Sequence, residues 1–396
     1  MNTTTRRSAL SAWIFTLLAA LSAFGPLSMD MYLPGLPAMS ADLDAPDWST
    51  QATISVCMVG LAAGQLIAGP ISDARGRRGP LLLGVAVYTL SSIGCALAPD
   101  IVVLLILRLV QGLAGAVGIA IARAIVRDRH DDAVEAARAF TLLSMITSLA
   151  PVLAPSLGGA VLHVSDWRGV FVALAAIGAF LLVSCWLSMP ETLPPERRHG
   201  GGLAQTRDAL RTLRRDPRFV LLALTIALAF GAMGAYLAGS SFVLEDQHGL
   251  SPQLFAVVFG INGLGLIAAG QGGRMLVGRV GSEGLLRVAQ AIQLLGAVLV
   301  LISAVADLGV APLLAGFFLV VSMTGIVVPN ATTLAMLDHP DRAGSASGLL
   351  GVAMFASGAI VAPIAGVAGA SALPMAITMV ASAAGACVVL RRLATG

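Results

Sequence analysis

The sequence predicts an all-α integral membrane protein of about twelve transmembrane helices in two six-helix bundles. Three observations predict it. The 396-residue chain is 57% hydrophobic and only 11% charged, whereas a soluble domain carries roughly 25% charged residues. Apolar segments of about 20 residues, each enough for one helical crossing, recur along its whole length. These runs are continuously apolar and rich in Leu, Ala, Gly and Val; a closed β-barrel would show alternating segments of roughly ten residues instead.

The first six helices are expected near residues 12–35, 50–71, 80–98, 101–126, 139–162 and 167–189. Arg6 and Arg7 before the first run resemble the start of a signal peptide. The run is too long for a signal core, contains Asp30 and is followed by many more spans, so it reads as an uncleaved first helix. Residues 190–217 are the only long polar stretch, with Pro190, Pro194, Pro195, a Gly200–Gly202 triplet and many arginines. They read as a linker between an N-terminal bundle (1–189) and a C-terminal bundle (218–396). The second six helices are expected near 218–243, 253–277, 284–305, 309–335, 343–367 and 371–390.

The two halves echo each other. Ala62-Ala63-Gly64-Gln65 in the second helix matches Ala268-Ala269-Gly270-Gln271 in the eighth, and Ala154-Pro155 in the fifth matches Ala362-Pro363 in the eleventh. Each match falls at the same helix number within its half. Parallel repeats with a site between them near the midplane are a transporter architecture.

All 24 basic side chains are arginine, and they alternate from loop to loop. Arg6 and Arg7, Arg75, Arg77 and Arg78, Arg127, Arg129 and Arg138, the linker arginines, Arg274, Arg279 and Arg287, Arg342, and Arg391 and Arg392 fall on one side. The opposite loops hold Asp42, Asp44, Asp47, Asp100, Asp166, Glu245, Asp246 and Asp307, with Arg168 the lone basic exception. The positive-inside rule then puts both termini and the linker in the cytoplasm. The expected location is a bacterial inner membrane, multi-pass.

Cys57, Cys95, Cys185 and Cys387 lie within apolar segments at no metal or disulfide spacing and read as small buried hydrophobes. The histidines (His130, His163, His199, His248, His339) fall in loops, and neither a catalytic constellation nor a nucleotide loop is present. These features argue against an enzyme and for a secondary transporter.

Asp30 is an acid inside an apolar span, a placement that marks a transport path or a paired charge. It is about five residues from the outer end of its helix, and Arg108 about seven from that of the fourth. At 1.5 Å per residue both lie roughly 8–11 Å below the surface, so either a pair or a shared cavity is expected. Asp30 and Arg108 are the candidate proton-coupling residues; a static ion pair is the alternative. Tyr32, Gln111, Tyr236, Asn262 and Asn330 are candidate cavity residues, with core packing and interhelical hydrogen bonds as the competing reading. Phe230 is a further candidate aromatic wall. Arg123 reads as a snorkelling side chain.

Gly69-Pro70-Ile71-Ser72-Asp73-Ala74-Arg75-Gly76-Arg77-Arg78 resembles the loop signature of the major facilitator superfamily. Arg108-Leu109-Val110-Gln111-Gly112 with Gly115 resembles its fourth-helix motif, and Pro151, Pro155, Gly158 and Gly159 resemble the fifth-helix motif of its proton-coupled drug exporters, with Ala154-Pro155 standing for the usual Gly-Pro. Met29-Asp30-Met31-Tyr32-Leu33-Pro34-Gly35-Leu36-Pro37 and Val328-Pro329-Asn330 are similar to the Bcr/CflA-type exporters, which include bicyclomycin, chloramphenicol and florfenicol resistance proteins.

The resemblance implies drug:proton antiport of small amphipathic antibiotics. The implied partners are a small-molecule drug, protons and the lipid bilayer, with no nucleic acid, no metal and no cofactor beyond the proton gradient, in a monomer. A transporter of a small metabolite is the alternative. The resemblance also implies a conformational latch of Asp73, Gly76, Arg77 and Asp128, with Asp73 facing the start of the eleventh helix near Gly344 and Ser345. Pro151 and Pro155 are expected to kink the fifth helix.

Overall fold

The computed structural model describes residues 3–129, 133–198, 211–337, 343–366 and 371–395. Among these residues there is no strand, and each expected span is helical. Spans two to six are Asp47–Arg75, Arg78–Ala96, Ile101–Arg129, Ala133–Val164 and Trp167–Ser188. Spans seven to twelve are Pro217–Ser241, Pro252–Val280, Ser282–Ala306, Val310–Leu337, Ala343–Gly366 and Ala372–Thr395. Several run past the apolar cores by a turn, because the polar ends that periodicity excludes still satisfy their backbone groups by helix formation. Local caps set the starts. Asp166 accepts from the Arg168 and Gly169 amides, Asp216 from Arg218 ahead of Pro217, and Ser251 from Leu254 ahead of Pro252.

The first span departs from the continuous helix expected over 12–35. It consists of Thr3–Ser22, Phe24–Asp30, a 3-10 turn Leu33–Gly35 and Leu36–Asp42, with a bend of 40° at the first break. Three prolines account for the pattern. A proline ring clashes with the carbonyl four residues earlier and supplies no amide. Pro26 thus disrupts the helix at Ser22, Pro34 at Asp30 and Pro37 at Leu33. The acid stands where the α-helix stops, and the span ends at Asp42, not near residue 35.

The same contacts recur in both halves. The second span packs on the fourth and the eighth on the tenth; the third packs on the fourth and sixth, and the ninth on the tenth and twelfth. Between the halves, the second span packs on the eleventh and the fifth on the eighth. Residues 28–36 of the first span and 229–244 of the seventh are all buried. The 3-10 turn touches the seventh and eighth spans, and Leu36–Asp42 touches the turn that ends the seventh. The two halves are therefore closed upon each other at the arginine-poor end. Toward the arginine-rich end, Arg123 and Arg127 on the fourth span and Thr333 and Leu337 on the tenth are exposed.

Candidate functional site

Asp30 ends its helical segment at the meeting of the two halves. It is 5% exposed, and neither a hydrogen bond nor an ion pair joins its carboxylate to a described residue. Its electrostatic neighbours are Cys57 on the second span and Tyr236 across the interface on the seventh. A carboxylate so placed is costly while charged and tolerable once protonated or paired.

Arg108 is not its partner. The guanidinium is fully buried within the N-terminal half, 4.3 Å over the Tyr32 ring and 5.6 Å from the Phe171 ring. Its Nη1 donates to Gln111 Oε1 at 2.6 Å, and Gln111 Nε2 donates to Ser92 Oγ at 2.7 Å. Nε and Nη2 have no partner. The expectation of an Asp30–Arg108 pair fails because the break after Asp30 turns Tyr32, rather than the acid, toward the fourth span. Tyr32 and Gln111 are accordingly sealed inside the N-terminal half and do not line an open cavity; the Tyr32 hydroxyl pairs with Thr53 at 2.9 Å.

On the C-terminal side Asn262 Nδ2 donates to the Tyr236 hydroxyl at 2.9 Å, and the Tyr236 ring lies 5.4 Å from that of Phe259 and 5.2 Å from that of Phe317. Phe230 meets Phe355 edge-on at 6.0 Å, and Met58 of the second span lies beside Gly358 in the same region. A polar layer of Asp30, Tyr236 and Asn262 thus sits beside an aromatic and thioether wall shared by both halves. Asn330 stands apart, half-buried, donating to the Ile326 carbonyl at 2.8 Å and facing Gly273 of the eighth span. Gln290 and Gln293 are buried in hydrogen bonds to neighbouring spans.

The fifth span supports the break. Gly158 lies so close to the Met31 carbonyl that a Cβ there would collide with backbone, and a Cβ on Gly159 would stand 3.1 Å from Ala256 of the eighth span. Pro151 and Pro155 are carried inside the single helix Ala133–Val164.

The loop after the second span forms a charge cluster. Arg77 is 2% exposed; its Nε donates to Asp128 at 2.8 Å, and its Nη1 to Asp73 at 2.5 Å and to Ser72 Oγ at 2.7 Å. Burial alone would lower the pKa of this guanidinium, but the Asp128 and Asp73 carboxylates outweigh it and hold it above the ordinary value. Gly76 has φ +93°, a left-handed conformation that favours glycine. The side chains of Gly344 and Ser345, the expected partners of Asp73, lie outside the described residues. Because lysine cannot fork between two acids, Arg77→Lys is expected to lower stability by about 1–2 kcal/mol, read as a lower unfolding temperature of purified protein.

Two acids escape the sequence reading. Glu191, in the linker, accepts from the backbone amides of Arg77 (2.8 Å), Arg78 (3.3 Å), Thr192 and Leu193 (both 3.0 Å). Partial burial would raise its pKa, but these four amides hold it below the usual value. A lowered carboxyl pKa gives stability that is present above the unfolded value and lost as pH falls through the folded one. Acidification below about pH 4 is therefore expected to loosen this loop, and Glu191→Gln to remove that pH dependence, in thermal unfolding measured across pH. Glu245 is the second. The apolar run places it in a loop, yet the seventh span continues through it as a π-helix, Phe242–Gln247. His163, also expected in a loop, lies in the last turn of the fifth span.

Comparison with known proteins places this geometry. The family described as Major Facilitator Superfamily matches residues 14–363. The chain is 38% identical over 373 residues to Uncharacterized MFS-type transporter YdgK of Bacillus subtilis, covering 93% of this chain and 92% of that protein. It is 30% identical over 386 residues to Bicyclomycin resistance protein homolog of Haemophilus influenzae, covering 97% and 96%. Multidrug resistance protein MdtL of Escherichia fergusonii is 33% identical over 209 residues, covering 53% of each chain. The crystal structure of nucleoside transporter NupG shares the fold with a TM-score of 0.76 at 11% identity, covering 96% and 98%. A bacterial homolog of the lysosomal transporter Spinster, in an inward-facing and occupied conformation, does so with 0.73 at 15%, covering 97% of each chain. With an all-helical fold of recurring apolar spans among the described residues and the family match over most of its length, the chain is a multi-pass membrane transporter that belongs to the major facilitator superfamily.

Proposed function

We propose that this transporter exports small amphipathic drugs of the amphenicol or bicyclomycin kind in exchange for protons, as a Bcr/CflA-type antiporter. The observation that carries the reading is Asp30, a buried acid without hydrogen bond or ion pair to any described residue, placed between the halves with Tyr236 as an electrostatic neighbour. Near-full-length similarity to a bicyclomycin resistance homolog supports the substrate class. With the arginine-rich loops placed in the cytoplasm by the positive-inside rule, the closed end is the outward one, and an inward-facing state is the reading this supports. A drug entering from the cytoplasm meets the aromatic and thioether wall, and its polar groups reach Asp30, Tyr236 and Asn262. Drug and proton compete for Asp30. The drug-loaded form turns outward, the proton-loaded form turns inward, and the proton gradient drives the cycle. Arg108 supports this from behind by holding Tyr32, next-but-one to Asp30, in place. Arg77 with Asp73 and Asp128 ties the second, third and fourth spans into one rigid unit at the cytoplasmic face, and the chain works as a monomer.

The test is resistance in a pump-deficient bacterial host. Expression is expected to raise the inhibitory concentrations of amphenicols or bicyclomycin, and dissipating the proton gradient to abolish drug extrusion. Unchanged susceptibility to both classes with the protein present in the membrane would remove the substrate assignment.

A further inference from the structure

We infer that Glu245 is a proton-linked switch of the gate at the arginine-poor end, separate from the exchange at Asp30. The inference rests on the antiport reading and adds a second acid, in the C-terminal half, to it. Glu245 lies in the π-helical turn that ends the seventh span. That turn packs against Leu36–Asp42 of the opposite half and against the eighth span, so Glu245 stands at the seam that closes this end. Its Oε1 is sealed from solvent and has no hydrogen-bond partner.

The charges around it offer no compensation. Asp246 is its electrostatic neighbour, and Asp47 lies beyond Asp246. Leu36–Asp42 brings Asp42, which is occupied by Arg168 and by the Trp167 indole. The eighth span opens with Pro252 and Gln253 and brings no charge to this end, and the only basic residue of the seventh, Arg218, is at its far end. His248 follows the turn and donates its backbone amide to the Glu245 carbonyl. The same part of the molecule holds further buried polar atoms without partners among the described residues: Ser241 on the seventh span, and Gln51 and Ser55 on the second. Closure strips water from all of them.

The chemistry follows. With the gate closed, Glu245 carries a proton, because its Oε1 is sealed from solvent without a partner among the described residues and Asp246 lies beside it. With the gate open, water reaches it and it ionises. Closure takes one proton from the water at that end, and reopening returns it to the same side. Glu245 therefore biases the gate by pH without adding to the number of protons exchanged per drug.

The test uses full-length protein in lipid nanodiscs with spin labels at Ala41→Cys and Gln253→Cys, exposed positions on opposite halves at this end. Gate opening is read as the longer-distance population from about pH 5.5 to about pH 9; one linked proton changes the open-to-closed ratio by at most about tenfold per pH unit. In an Asp30→Asn background, which removes the first acid, opening is expected to rise with pH. Adding Glu245→Gln is expected to abolish that rise and leave the closed distance, while adding Glu245→Asp retains it. A double Asp30→Asn/Glu245→Gln protein that opens with pH as Asp30→Asn does, or an Asp30→Asn protein already insensitive to pH, would overturn the switch. The closed distance at low pH reports that each variant is folded. Proton release per drug by the Glu245→Gln single variant is expected to equal that of the native chain, and a changed ratio also overturns the inference. If the native chain releases no protons with drug, the antiport reading itself has failed, which is a different result.

Discussion

Asp30→Asn is expected to leave a folded protein that binds drug more weakly, because asparagine mimics the protonated acid, and no longer couples export to protons. Asparagine fits the same space, and the acid has no hydrogen bond or salt bridge to a described residue to lose. What disappears is the ability to exist in two charge states. For one proton per drug, each pH unit across the membrane is worth about 1.4 kcal/mol and sustains a drug gradient of about tenfold. The variant should therefore equilibrate drug or hold it, with no accumulation against a gradient. Host resistance should fall to that of the empty vector while membrane abundance stays unchanged. Drug-dependent quenching of Trp fluorescence in purified protein separates binding from coupling. A variant that is lost from the membrane or unfolds at a lower temperature would point instead to Asp30 as a structural residue.

Gly158→Ala should act through the backbone of the same site. The added methyl would fall on the Met31 carbonyl, at the break that follows Asp30. Backbone held by Pro34 and Pro37 cannot shift as a side chain can. Overpacking in a rigid setting costs about 1–3 kcal/mol, and here relief requires moving the turn that presents Asp30 and Tyr32. Both thermal stability and transport are expected to fall. Gly272→Ala is the control. It lies in the eighth span with nothing within 4 Å of an added Cβ, so the higher helix propensity of alanine, about 1 kcal/mol in favour, should leave it neutral or slightly more stable. Equal behaviour of the two variants in unfolding and resistance assays would remove the buttress role of Gly158.

The helices were legible because a bilayer permits few alternatives: an apolar run with internally satisfied amides is a helix wherever it falls. The arginine alternation and the short repeats likewise marked which loops share an end and which helices correspond. Individual side-chain partnerships were not legible. Depth along two helices placed Asp30 near Arg108, but depth says nothing of rotation, and the break puts Tyr32 over the guanidinium instead. The break itself had a signal in Pro26, Pro34 and Pro37, each four residues beyond a disrupted carbonyl, that an apolar window does not weigh. Gln111 looked like a cavity residue because it is polar within a span, whereas its amide serves Arg108 and Ser92. Glu245 was hidden by lying past the apolar run, where only the π-turn reveals that the span continues. Glu191 was not legible because two of its four amide partners belong to a loop more than a hundred residues earlier.

The most direct measurement is proton release from proteoliposomes holding the native chain or Asp30→Asn, followed with a pH-sensitive dye as drug is added under an imposed pH gradient. Native protein should release protons in proportion to drug moved, and folded Asp30→Asn should release none. Drug movement by the native chain without protons, or equal release by both proteins, would contradict proton exchange at Asp30.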